Sequence, residues 1–183
     1  MKTEFSVGSV GIRRFNPVDA LPLFEAVRET KRGLTRWMAW CHPGYSRNHS
    51  AAYATERDAN WKKDQHYSFV IFDVETGELL GSVGINCINH VHRFASLGYW
   101  VRASRCRRGV ATAAVKLAAG FGVDELRLNR LEIVTAIKNR ASQRVAEKTG
   151  ARREGVLRNR LVIQGKSHDA VIFSLTTREV DSW

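Results

Sequence analysis

Apolar and polar positions along this chain change period twice, and the changes divide it into strands and helices. Residues 6–15 read as a first strand, and Asn16-Pro17 then breaks the run and opens a helix through about Lys31. Leu21, Phe24 and Val27 recur at the spacing of one helical face, which predicts a buried stripe. A second helix is expected over residues 49–64, with Ala52, Thr55, Ala59 and Trp61 turned inward. Between the two, residues 34–45 carry Trp37, Trp40 and Tyr45 and end in a Pro-Gly turn. That stretch reads equally as a loop tucked on the core and as a loop lining a substrate site.

From Tyr67 onward the period becomes two. Residues 69–72, 79–88 and 94–101, joined by turns at 75–78 and 89–93, read as an antiparallel meander, and Gly81 and Gly84 in its middle strand let another backbone come close. Val110, Ala114, Leu117 and Phe121 then form a helical stripe, centred on the helix-like run 113–123. Residues 131–137 are a β-branched strand, and Asn139 can cap a helix over 140–149 that Gly150 ends. Residues 156–163 and 168–175 close the chain as a hairpin around Gln164-Gly-Lys166. At 183 residues, without an internal repeat or linker, these elements suit one compact domain over 1–183.

Composition narrows the class of protein. With 44% hydrophobic and 26% charged residues the chain is neither disordered nor membrane-embedded, and no apolar run reaches the roughly 20 residues of a spanning helix. The N-terminus lacks the apolar core of a signal peptide, so a cytoplasmic location is expected. Cys41, Cys87 and Cys106 are odd in number and widely spaced; they suit small packing residues better than a disulfide framework, a metal site or acyl carriers. No His/Cys/Asp/Glu group has metal-ligand spacing, so no metal is expected. The net charge of +11, from 29 basic and 18 acidic residues, predicts a positive surface that attracts polyanions or an acidic protein. Basic residues interleaved with exposed aromatics on one strand, as an RNA-recognition module needs, are missing, which argues against a nucleic-acid partner.

The strongest local signal is Arg105-Cys-Arg-Arg-Gly-Val-Ala-Thr112, lying between a strand and a helix start. Consecutive backbone amides around Gly109, the positive end of a helix dipole and three arginines converge there on a site for an anion such as a phosphate. It is neither a Walker loop nor a dinucleotide fingerprint. Taken alone it reads equally as a tight turn with solvated arginines.

Leu97-Gly-Tyr-Trp-Val101, Arg107-Arg-Gly-Val-Ala-Thr112, Leu128-Asn-Arg-Leu-Glu132, the stretch from Asn139 to Gly150, and Glu154-Gly-Val-Leu-Arg158 occur in that order. Together they resemble the GNAT superfamily of acyl-CoA-dependent N-acetyltransferases, and more closely its RimJ/RimL-like, ribosomal-protein-alanine branch. The resemblance is dense from residue 97 to 175 and looser before. It implies an α/β (α+β) GNAT fold, with a mixed, mainly antiparallel sheet of about seven strands flanked by helices. It also implies an acetyl-CoA cosubstrate, whose pyrophosphate would sit on the backbone of Cys106, Arg107, Arg108, Gly109, Val110, Ala111 and Thr112. Cys106 stands where the family usually has Gln or Arg. The strand ending Tyr99, Trp100, Val101 would pair with the pantetheine arm, and Asn139 and Ser142 match the family's Asn-x-x-Ser motif.

By that resemblance Asn139 contacts acetyl-CoA and Ser142 hydrogen-bonds or protonates the leaving thiolate; read by themselves they are an N-cap and a first-turn hydroxyl. Glu132, in the strand 131–137, is the candidate general base, and reads equally as a structural ion pair. His168 and Asp169 alternate to opposite faces and are not expected to act as a dyad, while His90 and His92 fit a solvated turn. The implied reaction is direct acetyl transfer to a primary amine. The acceptor is a protein N-terminus, ribosomal by closest resemblance, with a small amine such as an aminoglycoside, polyamine or amino acid as the alternative. No membrane partner is expected, and a homodimer is compatible.

Overall fold

The computed structural model describes residues 1–63 and 65–183. Its strands are β1 (Glu4–Val7), β2 (Val10–Arg14), β3 (Tyr67–Asp73), β4 (Leu79–Asn89), β5 (Phe94–Val101), β6 (Arg130–Ala136), β7 (Arg152–Ile163) and β8 (Lys166–Thr176). The helices are α1 (Ala20–Trp37), α2 (Arg47–Lys62), α3 (Val110–Asp124), α4 (Arg140–Lys148) and α5 (Thr177–Val180). Among the described residues the eight strands form one mixed sheet in the order β1-β2-β3-β4-β5-β6-β8-β7, in which only β5 and β6 run parallel. The mixed, mainly antiparallel sheet flanked by helices is as expected.

Eight strands replace the expected seven because residues 6–15 are not one strand. The chain reverses at Gly8-Ser9, where Gly8 has φ +55°, and Val7 pairs with Val10 in a two-residue hairpin. Helix α1 passes Lys31 and Gly33 and ends at Trp37. It buries Leu23, Ala26, Val27, Thr30 and Leu34, whereas Leu21 is 48% exposed. Helix α2 spans Arg47–Lys62 and turns Ser50, Ala54 and Trp61 inward; Ala52 and Thr55 are exposed and Ala59 is half-buried. The expected end of that helix at Asp64 lies outside the described residues. Helix α3 begins at Val110, one turn earlier than the apolar run suggests. The short α5 was not expected; its N-terminus is a capping box in which Glu179 accepts from the backbone N–H and the hydroxyl of Thr176.

The sheet has two covered faces. On one, α3 and α4 bury Leu97, Leu131, Ile133, Val171 and Phe173, together with an aromatic knot of Phe5, Trp61, Tyr67, Phe69 and Phe121. On the other, α1 and α2 bury Phe15, Val70 and Leu79, with Trp100 at the margin. Strand alternation therefore sends Tyr99 and Trp100, neighbours in β5, to opposite sides of the sheet.

Gly81 fixes how closely β4 approaches β5. It has φ +156°, and a Cβ there would stand 2.2 Å from the Trp100 carbonyl oxygen, a backbone atom that cannot rotate away. Gly81→Ala is expected to cost about 2–3 kcal/mol, read as a lower denaturant midpoint at unchanged slope.

Candidate active site

Strands β5 and β6 start as partners and then part. Phe94, Ala95 and Ser96 pair with Arg130, Leu131 and Glu132, and no pairing between the two strands follows. Beyond that point β6 continues only with β8, so the main-chain groups of residues 97–101 that face β6 have no strand to meet. An exposed strand edge of this kind binds an extended ligand through its amides and carbonyls.

The loop after β5 turns a run of backbone amides, the kind of group that can hold an anion, toward the mouth of this opening. Arg107 (φ +64°) and Gly109 (φ +82°) both take the left-handed conformation, which turns successive N–H groups toward one side. The amides of residues 107–112 have no acceptor among the described residues, and the last three are the free N–H groups of the first turn of α3. A Cβ on Gly109 would meet nothing within 4 Å, so the space above the cradle is open. Arg107 and Arg108 are exposed beside it. Arg105 is not the third cation: it pairs with Glu78, which also accepts from Arg102 at 2.5 Å. Glu29 takes Arg102 Nε at 2.7 Å and the Ser104 amide at 2.8 Å, and Thr30 accepts the Ala103 amide at 3.0 Å. The cradle is thus clamped onto α1.

Cys106 contributes no contact to the cradle through its side chain. Its thiol lies 3.5 Å from the Arg102 carbonyl and 3.8 Å from that of Val101, and burial pushes its pKa up, away from thiolate. Cys41 is buried as expected, but Cys87 and Cys106 are exposed and are not packing residues; Cys87 sits in the bulge near the end of β4 with φ +51°.

Across the opening from β5 stands the N-terminus of α4. Asn139 Oδ1 caps the helix by accepting the Ser142 amide at 3.2 Å. The Tyr99 hydroxyl crosses to donate to the Ser142 carbonyl at 2.9 Å and lies 3.0 Å from Ser142 Oγ. Because that proton is spent on the carbonyl, the Ser142 hydroxyl is the donor to Tyr99 Oη, and the two form a chain of hydroxyls. Burial pushes Tyr99 up to about 12, so it keeps its proton near neutral pH. The side chain of Tyr99, expected to act through its backbone, is the element that sequence reasoning missed.

Residues 9–152 match the acetyltransferase (GNAT) domain family. The chain belongs to that family. A Bacillus subtilis (strain 168) protein carrying the provisional name ribosomal N-acetyltransferase YdaF is 29% identical over 177 residues, 93% of this chain and 92% of that protein. A spermidine N(1)-acetyltransferase of Escherichia coli (strain K12) is 33% identical over 95 residues, 52% of this chain and 51% of that protein. Among solved structures, Mycobacterium smegmatis RimJ in complex with CoA-disulfide superposes with a TM-score of 0.85 at 26% identity, covering 94% of this chain and 84% of that one.

On the opposite face, toward α1 and α2, this acetyltransferase carries polar and small residues where the strands part. Glu132 lies there, paired across from Ser96, and its carboxylate accepts from Arg130 Nε at 2.9 Å. The same guanidinium holds Glu154 at 2.8 and 2.5 Å, and Ser174 donates to Glu154 at 2.7 Å. Arg130 and the Ser174 hydroxyl hold Glu154 down at about 2. The ion-pair reading of Glu132 is therefore realised in the structure. His168 and Asp169 form no dyad: Asp169 accepts the Asn159 amide at 2.9 Å, and His90 and His92 are exposed in a turn. The 34–45 segment is tucked on the core, as one of its two readings has it. Cys41 is buried, while Trp40, 40% exposed, leans on Tyr45 and Trp100 with ring centroids 5.7 and 6.2 Å apart.

One partly buried imidazole stands behind this face. His66 lies between Arg57 and Ser68, and burial, reinforced by the Arg57 charge, lowers it from 6.5 to about 4. The unfolded chain therefore takes up a proton that the folded chain refuses, so this contribution to stability is complete above about pH 6.5 and is lost as pH falls toward 4. Thermal unfolding followed by circular dichroism should show Tm dropping across that interval, and His66→Gln should flatten the drop.

Proposed function

We propose that this acetyltransferase uses acetyl-CoA and acetylates the N-terminal amine of a protein, and that residues 1–183 form a single catalytic domain. The parting of β5 from β6, with free amides at one end and the Tyr99–Ser142 hydroxyls at the other, is the observation that carries the reading. The N–H groups of residues 107–112, with Arg107 and Arg108 beside them, suit a pyrophosphate. The unpaired edge of residues 97–101, which includes Tyr99, Trp100 and Val101, suits the amides of a pantetheine arm. That the sheet takes strands from both ends of the chain supports the single domain.

In the reaction the amine nitrogen bonds to the acetyl carbon and the carbon–sulfur bond breaks. Ser142 turns the hydroxyl proton that it otherwise gives to Tyr99 Oη toward the departing sulfur and regains one from solvent, and Asn139 sets the Ser142 backbone by capping α4. Glu132 is the carboxylate at the parting point on the acceptor side and takes the amine's proton, directly or through water. It is already engaged by Arg130, which suits an acceptor that sheds its proton readily. An α-amine, with a pKa near 8, is about one-tenth neutral at pH 7, whereas an alkylammonium near 10.4 is neutral in only about one molecule in 2,500. This favours a protein N-terminus over a polyamine. The YdaF relative, with its ribosomal name, supports the same choice, and the spermidine acetyltransferase relative supports a small amine.

Thiol release from acetyl-CoA, followed against N-terminal peptides, polyamines and aminoglycosides in parallel, should be fastest with a peptide; a polyamine turned over faster would reverse the assignment. Ser142→Ala should lower kcat about 100-fold while calorimetry finds acetyl-CoA affinity changed by less than about threefold. Glu132→Gln should slow turnover most at low pH, and full activity with an unchanged pH profile would remove Glu132 from the mechanism.

A further inference from the structure

Two carboxylates share one guanidinium beside the point where β5 leaves β6. Arg130 and Glu132, two residues apart in β6, lie on one face of the sheet, and Ser174 of β8 stands opposite Glu132 in register. Arg152 of β7 pairs with Ser174 in turn. Glu154 is the extra residue of a bulge between Arg153 and Gly155, a device that re-aims a side chain, and here its carboxylate meets Ser174 and Arg130. Three strands thus bring Arg130, Glu132, Glu154 and Ser174 together at the last paired row of β5 and β6.

The guanidinium is divided unequally. Its two ends, Nη1 and Nη2, go to Glu154 at 2.8 and 2.5 Å, and Ser174 Oγ gives Glu154 a third bond at 2.7 Å. Nε alone is left for Glu132, and it reaches only Oε1, at 2.9 Å. Glu132 Oε2 accepts from no group among the described residues and is open to solvent. Glu154, held down at about 2 by Arg130 and then by Ser174, keeps its negative charge against the guanidinium near neutral pH. Arg152 adds its charge on the Glu154 side, and Ser96, opposite Glu132 on β5, is neutral. His168 lies at the other end of β8, and among the described residues no hydrogen bond or ion pair from α1 or α2 reaches Glu132.

We propose that Arg130 and Glu154 are positioning residues that act as a pair on Glu132: Arg130 aims the carboxylate through Oε1, and Glu154, by taking both ends of the guanidinium, leaves Oε2 free to receive the acceptor's proton. This rests on the reading of Glu132 as the base in acetyl transfer. An arginine with nothing else to hold grips a carboxylate by two parallel bonds, which would occupy both oxygens of Glu132. Glu154 prevents that grip by competition. Loss of the cation makes Glu132 easier to protonate, and loss of the second carboxylate makes it harder, so the two losses act on one group in opposite directions. An ion pair that served only the fold would give both losses the same sign.

The test follows kcat/KM against pH with one alanyl peptide, over the range in which circular dichroism shows each chain folded. The amine's own titration is then common to every chain, and only the enzyme's low-pH limb can move. Arg130→Met should shift that limb to higher pH by about one pH unit, and Glu154→Gln should shift it lower. Arg130→Lys, which keeps the charge without the fork, should fall between wild type and Arg130→Met. The carboxyl carbon resonance of Glu132, titrated by NMR in a glutamate-labelled chain, should move with the limb, while acetyl-CoA affinity by calorimetry stays unchanged. If Arg130→Met does not fold, the direction of the Glu154→Gln shift decides. A limb and a resonance that stay in place, or that move the same way in both variants, would overturn the proposal, provided that Glu132→Gln is impaired. Full activity of Glu132→Gln with an unchanged pH profile would instead overturn the reading on which it rests.

Discussion

Everything in this molecule turns on a hydrogen-bond ladder that stops early. Two parallel strands share three residue pairs and then separate, and a ladder left unfinished exposes polar backbone that must be satisfied some other way. Helix α4 and the Tyr99 side chain stand across the opening on one face, and Glu132 lies on the other. The sheet is thereby a partition with a gap between two of its strands and different chemistry on its two faces.

The two sides are not independent. The loop that carries the free amides is bound to α1 by Glu29 and Thr30, and α1 with its following segment walls the other face. Glu78 takes two arginines of the same loop, which neutralises charge that would otherwise scatter an incoming anion among several cations. What remains free is a narrow set: six amides and the exposed Arg107 and Arg108. A net charge of +11 is therefore a poor guide to this site, because two of the loop's four arginines, Arg102 and Arg105, are spent on structure.

How much of this was legible in the sequence depends on range. Strand β5 is found at its expected ends because an apolar run is bounded by a turn and a glycine-bearing loop. The hairpin at Gly8 had a local signal, the Gly8-Ser9 pair and the three-residue step from Val7 to Val10 that breaks strand alternation, and reading residues 6–15 as one strand passed over it. Helix α1 outruns its local signal because the burial of Leu34 outweighs Gly33. At the site, alternation placed Glu132 on the correct face, and its partner Arg130, two residues away on the same face, could have been read by the same rule. His66 and Ser68 have that spacing too. The contacts that arrive from afar have no local signature: Tyr99 on Ser142, Arg57 on His66, Glu154 on Arg130 and Ser174 on Glu154.

The hairpin of β7 and β8 reaches back across the molecule, and at its tip Gln164 Nε2 donates to the carbonyls of Thr35 at 3.1 Å and Cys41 at 3.4 Å. Those carbonyls belong to the end of α1 and the segment after it, so the last hairpin of the chain is tied to residues more than a hundred positions earlier. The hairpin is in this sense a late rivet: the end of α1 can be fastened there only once the final strands have formed, which makes its placement one of the most non-local contacts in the fold.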